Sequence, residues 1–534
     1  MQSMKHLEAL QPKVTWLWIV VGFTACCIIV TKWTSLRRGA RKFWLRRQGY
    51  LVGHNGAAIP EITGESRFLR FNKGYELSTQ ASLTAGNDPC LIWNGDRPEI
   101  ILTQPEHVKE FYSRKAKEHR KPTNACMGHY FGRVMGQCAG AVNGDLWRSI
   151  RAVFDPHFSH QCAKAFLDPM RREFARWRGE LPAVPGRPDF VVEALEACRI
   201  LPFKIIALSL YREVMTDEMF DELLQLNVVH DKVLLATWFG SRERSSWYNK
   251  LPTMAKKNMD QFEAEWEAYN LKAVRIATEK GIACPVKDMY QEVKKGTIGT
   301  VNWLQTIDEI LFANLDVTSA ILAFLLINLA MNPEVQAELR EEVLAQTREA
   351  NIGDSDDVFE RYLQRSDTLL EYTCMESTRL CPAVWFTLPE YATEDLWIGG
   401  YRIQAGTCFI IDWARLNTES PIWKKSSSTS SEKGEKQQQN LGKTFRPQRF
   451  RDLSPLDYRW SMLRFGFGAR KCIGKNFAVL LMKGFLLEVL AGYRLEIDGP
   501  PPPSGGWGAT NVELRNDRFT VMPRQRVRFY SLAG

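Results

Sequence analysis

The chain has 534 residues, 70 basic against 61 acidic, and is 45% hydrophobic and 11% aromatic. At about 150 residues per domain it holds three or four domains or one large one; the composition excludes a disordered, collagen-like or disulfide-stapled chain. Of the net charge of +9, seven units sit on Lys32, Arg37, Arg38, Arg41, Lys42, Arg46 and Arg47, in a stretch without an acid. The chain after Tyr50 is nearly neutral, at about +1, so no nucleic-acid partner is expected.

Val14 to Val30 (VTWLWIVVGFTACCIIV) is an uncharged apolar run. As a helix it spans ~25 Å, the short end of what a bilayer core requires. Trp16, Trp18 and Trp33 suit the interface belts, and the basic cluster follows the run, which keeps the remainder cytosolic. A cleaved signal peptide is the rival; it would carry its charge mainly ahead of the run and a small-residue site behind it. A buried core helix suits those flanks less well. The expected division is a lumenal N-terminus at 1–13, a single-pass anchor at 14–33, a basic juxtamembrane linker at 34–60 and a cytosolic domain at 61–534. In a eukaryote the endoplasmic reticulum is the natural membrane. The twelve cysteines are dispersed and form no C-x-x-C pair, which argues against zinc ribbons and thioredoxin-like motifs. Most are expected to be reduced and buried.

From Arg67 to Leu102, glycine, asparagine and proline break up short apolar runs, which predicts a small sheet region. Helical periodicity dominates from Glu106 to about Arg379, clearest in MDQFEAEWEAYNLKAVRIA and PEVQAELREEVLAQ. Asn332-Pro333-Glu334 reads as the capped start of the latter helix. Leu311 to Ala330 is apolar enough for a second membrane span, but Asn314, Asp316, Asn328 and Pro333 favour a buried central helix. Leu396 to Asp412 reads as strand, turn and strand, and Lys424 to Asn440 as a polar low-complexity insertion. Strands near both ends around a helical middle predict an α+β fold, mainly α with smaller β-sheet regions.

Phe465 to Gly474 reads FGFGARKCIG. Such a loop suits a cysteine that ligates iron: Cys472 must ionise, and metal coordination removes its proton. Gly466 and Gly468 permit a tight turn that aims backbone N–H groups at the sulfur, and Gly474 lets the chain leave closely. The apolar run from Asn476 predicts a helix whose positive end faces the thiolate. Phe465 could pack on a macrocycle and Arg470 could pair with a carboxylate on it. The bland alternative is a buried cysteine in a glycine-rich loop.

Phe465, Gly466, Gly468, Arg470, Cys472, Gly474 and Ala478 resemble the haem loop of the cytochrome P450 monooxygenases. Other segments are similar to that family at matching places. Glu376 and Arg379 form an E-x-x-R, alone no more than a surface ion pair. With FRPQRF at Phe445–Phe450, the resemblance implies a buried network of Glu376, Arg379 and Arg449 behind the loop. Trp147 and Arg151 lie one helical turn apart, which in isolation is a core tryptophan beside a solvated arginine; the resemblance implies that they bind a haem propionate.

Three departures from the family pattern stand out. In ANLDVTS (Ala313 to Ser319), Asn314 replaces a glycine that gives dioxygen room, and Val317 replaces the threonine whose hydroxyl helps deliver protons; the acid, Asp316, is kept. Protons would then arrive through water, Thr318, Asn314 or a substrate hydroxyl, with Thr318 about 100° away round the helix. Glu390 stands where the family usually carries a propionate-binding arginine.

The resemblance implies haem b with an axial cysteine thiolate, held between a long central helix and the cysteine loop. It implies a monooxygenase using dioxygen and NADPH-derived electrons from a membrane-bound cytochrome P450 reductase, with cytochrome b5 as a second donor. The reductase is expected near Arg464, Arg470, Lys471 and Lys475. Ala313 and Val317, with Ala383, Val384, Trp385 and Phe386 on a strand after the E-x-x-R, would line a pocket for a lipophilic substrate. The insertion and the replaced threonine are similar to features of fungal enzymes that tailor secondary metabolites. Two alternatives stand: a haem-thiolate isomerase, dehydratase or peroxygenase needing no reductase, and a non-enzymatic haem-binding protein.

Overall fold

The longest helix, Thr300–Met331, runs 32 residues through the core and packs against the helices Ile200–Tyr211 and Leu369–Leu380 and the strand Tyr493–Ile497. In the computed structural model the described residues are 33–113, 119–183, 187–240, 242–350, 355–424, 441–499, 513–515 and 520–532. The apolar run at 14–30 and residues 425–440 of the predicted insertion lie outside them. Among the described residues the central helix is the one long and apolar enough to cross a membrane, yet most of its apolar stretch is buried in protein. Its polar side chains are spent on neighbours: Asn302 donates to the Gln137 carbonyl at 3.0 Å and Asn328 to Ser377 Oγ at 2.9 Å. Those bonds satisfy groups that hydrocarbon would leave stranded.

The architecture is mainly α with small sheets. A five-stranded sheet runs Glu61–Glu65, Cys90–Asn94, Arg97–Leu102, Cys408–Ile411 and Glu390–Tyr391 in spatial order. Gly399 (φ +55°) and Gly400 (φ +81°) make the two-residue turn between Leu396–Ile398 and Tyr401–Ile403, where positive φ at both positions favours glycine. A third sheet joins the chain end, Arg526–Ser531, to Tyr493–Ile497 and Asp189–Glu193.

Three local expectations are corrected. The stretch from Arg67 is not all sheet: Ser66–Asn72 and Gly74–Ala85 are helices that precede the strands. Asn332 does not lend its side chain to the next helix; it donates back to the Asn328 carbonyl at 2.7 Å, closing the central helix. Residues 383–386 form no strand, only an isolated bridge from Phe386 to Asp412.

A buried charge network fixes the loop around Cys472. Glu376, on the helix Leu369–Leu380, accepts from Arg379 Nε at 2.8 Å, Arg449 Nε at 3.0 Å and the Arg446 amide at 2.9 Å. Arg379 also donates to the carbonyls of Asn417 and Gly442 at 2.6 and 2.7 Å. The Asn417 side chain then pairs with both backbone groups of Leu463, at 3.0 and 2.8 Å. One turn earlier Glu371 joins Arg464 at 3.0 Å to Lys483 at 2.7 Å, clasping the chain before and after the loop. Burial alone would raise both carboxyls, but the guanidinium and ammonium groups around them hold Glu371 and Glu376 below the usual carboxylate range.

Glu376→Gln should therefore cost about 3 kcal/mol or more, because two buried guanidinium groups lose their counter-charge. The depressed carboxyls contribute stability that is complete above their unfolded value of 4.5 and fades as pH falls through their lower folded values. Urea unfolding followed against pH should show wild-type resistance falling below that value, and the variant should lose less on acidification.

Candidate functional site

The loop after Leu463 turns twice through left-handed backbone, at Gly466 (φ +79°) and Gly468 (φ +67°), conformations that a β-carbon penalises. The Cys472 amide donates to the Phe465 carbonyl at 2.8 Å, closing the turn. Gly474 caps the helix Lys475–Gly492, and a β-carbon there would lie 3.9 Å from Cys472 Sγ. Cys472 is exposed to the chamber; desolvation by the surrounding protein pushes its thiol up, and the amides of Gly474 and Lys475 act in the opposite sense by favouring the anion. Metal coordination would remove the thiol's proton, and two N–H groups are in place to meet the anion.

Cys472 faces a cavity of about 480 Å³. Phe465, Gly466, Gly474 and Ala478 form its wall on the sulfur side, and Ala313, Asn314, Asp316, Val317 and Thr318 form the wall from the central helix. Ala383 and Val384 close one end. Trp385 and Phe386 do not reach it: both are buried in a separate cluster with Leu77, Ala81 and Phe324. The Trp385 ring lies over Gly74, where a β-carbon would collide with it.

Cations gather at one edge. Arg470 donates through Nη2 to the Val142 carbonyl and to Asn143 Oδ1, both at 2.8 Å, and its guanidinium lies 5.0 Å from the Trp147 ring centroid. Its Nη1 is buried without a partner. Arg151 donates to the Lys471 carbonyl at 3.2 Å and pairs with Asp155 at 2.6 Å. Lys121, which no sequence signal singled out, also lines the cavity and pairs with Glu390 at 2.8 Å. Glu390 thus brings no cation of its own to the cavity but anchors Lys121 beside it. Burial opposes its ionisation, and Lys121 with His119 and Arg470 holds its carboxyl below the usual range.

The donor set fits a haem. A single sulfur with amides behind it faces an apolar slot, and an orphaned guanidinium nitrogen waits where an anionic edge group would lie. Cys472 would hold the iron, and Arg470, Trp147 and Arg151 the propionate edge.

On the opposite wall the polar side chains are largely committed. Thr318 donates its hydroxyl to the Asn314 carbonyl at 2.9 Å, and Asn314 donates to the Glu309 carbonyl at 2.6 Å. Asp316 lies 3.6 Å from Arg199, which is also 3.8 Å from Asp231 on the helix Asp217–Phe239. Arg199 and Asp231 are separated from Asp316 by long stretches of chain, so no local pattern pointed to them. Of the four basic residues expected to form a docking patch, Arg464 is instead clasped by Glu371 and Arg470 turns inward; Lys471 and Lys475 are exposed.

The family model for cytochrome P450 matches residues 87–517. Curated relatives include the cytochrome P450 monooxygenase lepD of Aspergillus flavus, 35% identical over 86% of this chain and 88% of the relative. The cytochrome P450 monooxygenase apdB of Emericella nidulans is 34% identical over 85% and 89%. The cytochrome P450 monooxygenase PUL2 of Kluyveromyces lactis is 31% identical over 90% of each. With a cysteine loop, a cation-lined edge and an apolar chamber already in place, these matches leave one assignment: the chain belongs to the cytochrome P450 family and is a haem-thiolate monooxygenase.

Proposed function

We propose that the protein transfers one oxygen atom of dioxygen to a C–H or C=C bond of a lipophilic small molecule and releases the other as water. Two electrons come from NADPH through a membrane-bound flavoprotein reductase. The observation that carries this reading is the chamber itself, in which the Cys472 sulfur and the amides of Gly474 and Lys475 face the central helix across a mostly apolar cavity of about 480 Å³. Haem held there supplies the oxygen chemistry, with its thiolate favouring O–O cleavage.

The chain's own residues then divide the work. Cys472 ligates, while Gly466, Gly468 and Gly474 shape the loop around it. Phe465 and Ala478 pack against the macrocycle, and Trp147, Arg151 and Arg470 orient its propionates. Glu376, Arg379 and Arg449 hold the loop in place. Ala313, Val317, Ala383 and Val384 form the substrate wall. Val317 has no hydroxyl, while the Thr318 hydroxyl and the Asn314 amide nitrogen are donated to helix carbonyls. The relay from Asp316 is therefore completed by water or by a substrate hydroxyl. The exposed Lys471 and Lys475 suit an acidic redox partner.

The apolar run at 14–30 anchors the chain in the endoplasmic reticulum with residues 61–534 on the cytosolic side, where the reductase also lies. The fungal origin of the relatives supports a tailoring step in fungal secondary metabolism. Val317 is the feature that favours a reductase-free isomerase, dehydratase or peroxygenase; the relatives' shared name of monooxygenase weighs against it.

Full-length protein with reductase, NADPH and isotopically labelled dioxygen should give product carrying one labelled oxygen. Turnover that is complete without NADPH, or with peroxide alone, would replace this reading by the second. Val317→Thr should raise the fraction of NADPH converted to product; unchanged or lower coupling would count against a relay completed by water or substrate. Arg470→Ala should release haem to apomyoglobin roughly 10- to 100-fold faster, since it removes a charge-assisted bond of about 1.5–3 kcal/mol; an unchanged rate would remove Arg470 from the propionate edge.

A further inference from the structure

Two thiols meet beside the chamber, away from the cysteine loop. Cys126 ends the short turn Thr123–Cys126, and Cys408 opens the strand Cys408–Ile411 of the five-stranded sheet, 282 residues further on. Their sulfurs lie 4.0 Å apart, linked by an S–H···S hydrogen bond, and both are free cysteines. A disulfide places its sulfurs about 2.05 Å apart, so a movement of about 2 Å would join them.

Each sulfur is held in place by its own surroundings. Asn124, Ala125 and Cys126 run through left-handed backbone at φ +50°, +49° and +60°, which side chains of this kind adopt only where the structure around them imposes it. Arg244 fixes that turn by donating to the Cys126 carbonyl at 3.4 Å and to Asn94 Oδ1 at 2.7 Å. Cys408 is fixed by the sheet, in register with Glu99 on one side and Tyr391 on the other.

The two thiols differ in reactivity. Cys126 is half-buried, and the Arg97 guanidinium lies 3.8 Å from its sulfur. Donation from Cys408 and the charge of Arg97 hold the Cys126 thiol below its usual value in spite of burial. Cys408 is buried, and its bond to Cys126 and its desolvation push its thiol up, with Arg70 opposing. The carboxyl of Glu99 disfavours both anions, but it is occupied by Ser66 and Asn94. One accessible, anion-prone thiol with a second thiol in reach is the arrangement that oxidises reversibly in a reducing compartment.

We propose that Cys126 and Cys408 form an oxidative modification site whose oxidant is hydrogen peroxide. The Cys126 thiolate attacks one peroxide oxygen and the O–O bond breaks. The other oxygen leaves as hydroxide and takes up the proton that Cys126 lost, giving water and a sulfenic acid at Cys126. The Cys408 sulfur then attacks the Cys126 sulfur, the S–O bond breaks, and the hydroxyl leaves with the Cys408 proton as a second water. Two thiols and one peroxide become one disulfide and two waters. The new bond ties the turn whose Ala125 lines the chamber to the five-stranded sheet. The pair needs no haem and stands apart from the monooxygenase reading.

The test uses haem-loaded full-length protein, reduced, exposed to limiting hydrogen peroxide, blocked with iodoacetamide and digested without reductant. Peptide mapping by mass spectrometry should find Cys126 linked to Cys408, formed about tenfold faster than any oxidation of the fully buried Cys198 and Cys374. In Cys408→Ser the linked peptides should vanish and dimedone should trap a sulfenic acid at Cys126, whereas Cys126→Ser should leave Cys408 a thiol. Wild type in which both cysteines remain alkylated, or in which Cys126 passes to sulfinic acid beside a free Cys408, would overturn the proposal. So would Cys126 linked to any other cysteine. A carbon monoxide difference spectrum recorded before peroxide is added tests the haem reading separately.

Discussion

The position of one sulfur atom depends on a carboxylate that never touches it. Glu376 is fully buried and carries two guanidinium groups and a backbone amide. Through Arg379 and Asn417 its influence reaches Leu463, the residue two before Phe465, whose carbonyl accepts the Cys472 amide. An anion taken out of water needs such compensation, and once compensated it defines geometry more sharply than apolar packing does. The loop can therefore adopt two left-handed turns and still hold its amides on the sulfur.

Glu371 adds a second constraint of the same kind. By joining Arg464 to Lys483 it ties the entry of the loop to the helix that leaves it. Lys483 also donates to the Leu363 and Arg365 carbonyls at 2.9 and 2.6 Å, so the clasp extends into the neighbouring helical layer. On the sulfur side of the chamber the chain before and after the loop is held by charges paired within the protein. The opposite wall is different: Val317 offers no hydrogen bond, and Thr318 and Asn314 are committed to helix carbonyls.

Much of this was legible in the sequence because it is local. FGFGARKCIG encodes its own turn, and the helix after it follows from an apolar run. E-x-x-R places two side chains on one face, and the third member, Arg449, came from a family likeness rather than from spacing. What was not legible depends on partners far along the chain. Arg464 read as a surface cation because Glu371, 93 residues away, is invisible from its neighbourhood. Trp385 and Phe386 have the same apolar character as Ala383 and Val384, and only the path of the backbone sends the first pair into the core and the second to the chamber. Asn332 lies between two helices and could cap either; the free carbonyl of Asn328 decided it.

The central claim is that Cys472 holds a haem iron as its thiolate. Full-length protein in yeast microsomes, reduced and exposed to carbon monoxide, tests it in one difference spectrum. The account predicts the strongly red-shifted band of a thiolate-ligated haem. A band at the position of a neutral-ligand haem in folded protein, or no bound haem at all, would contradict it.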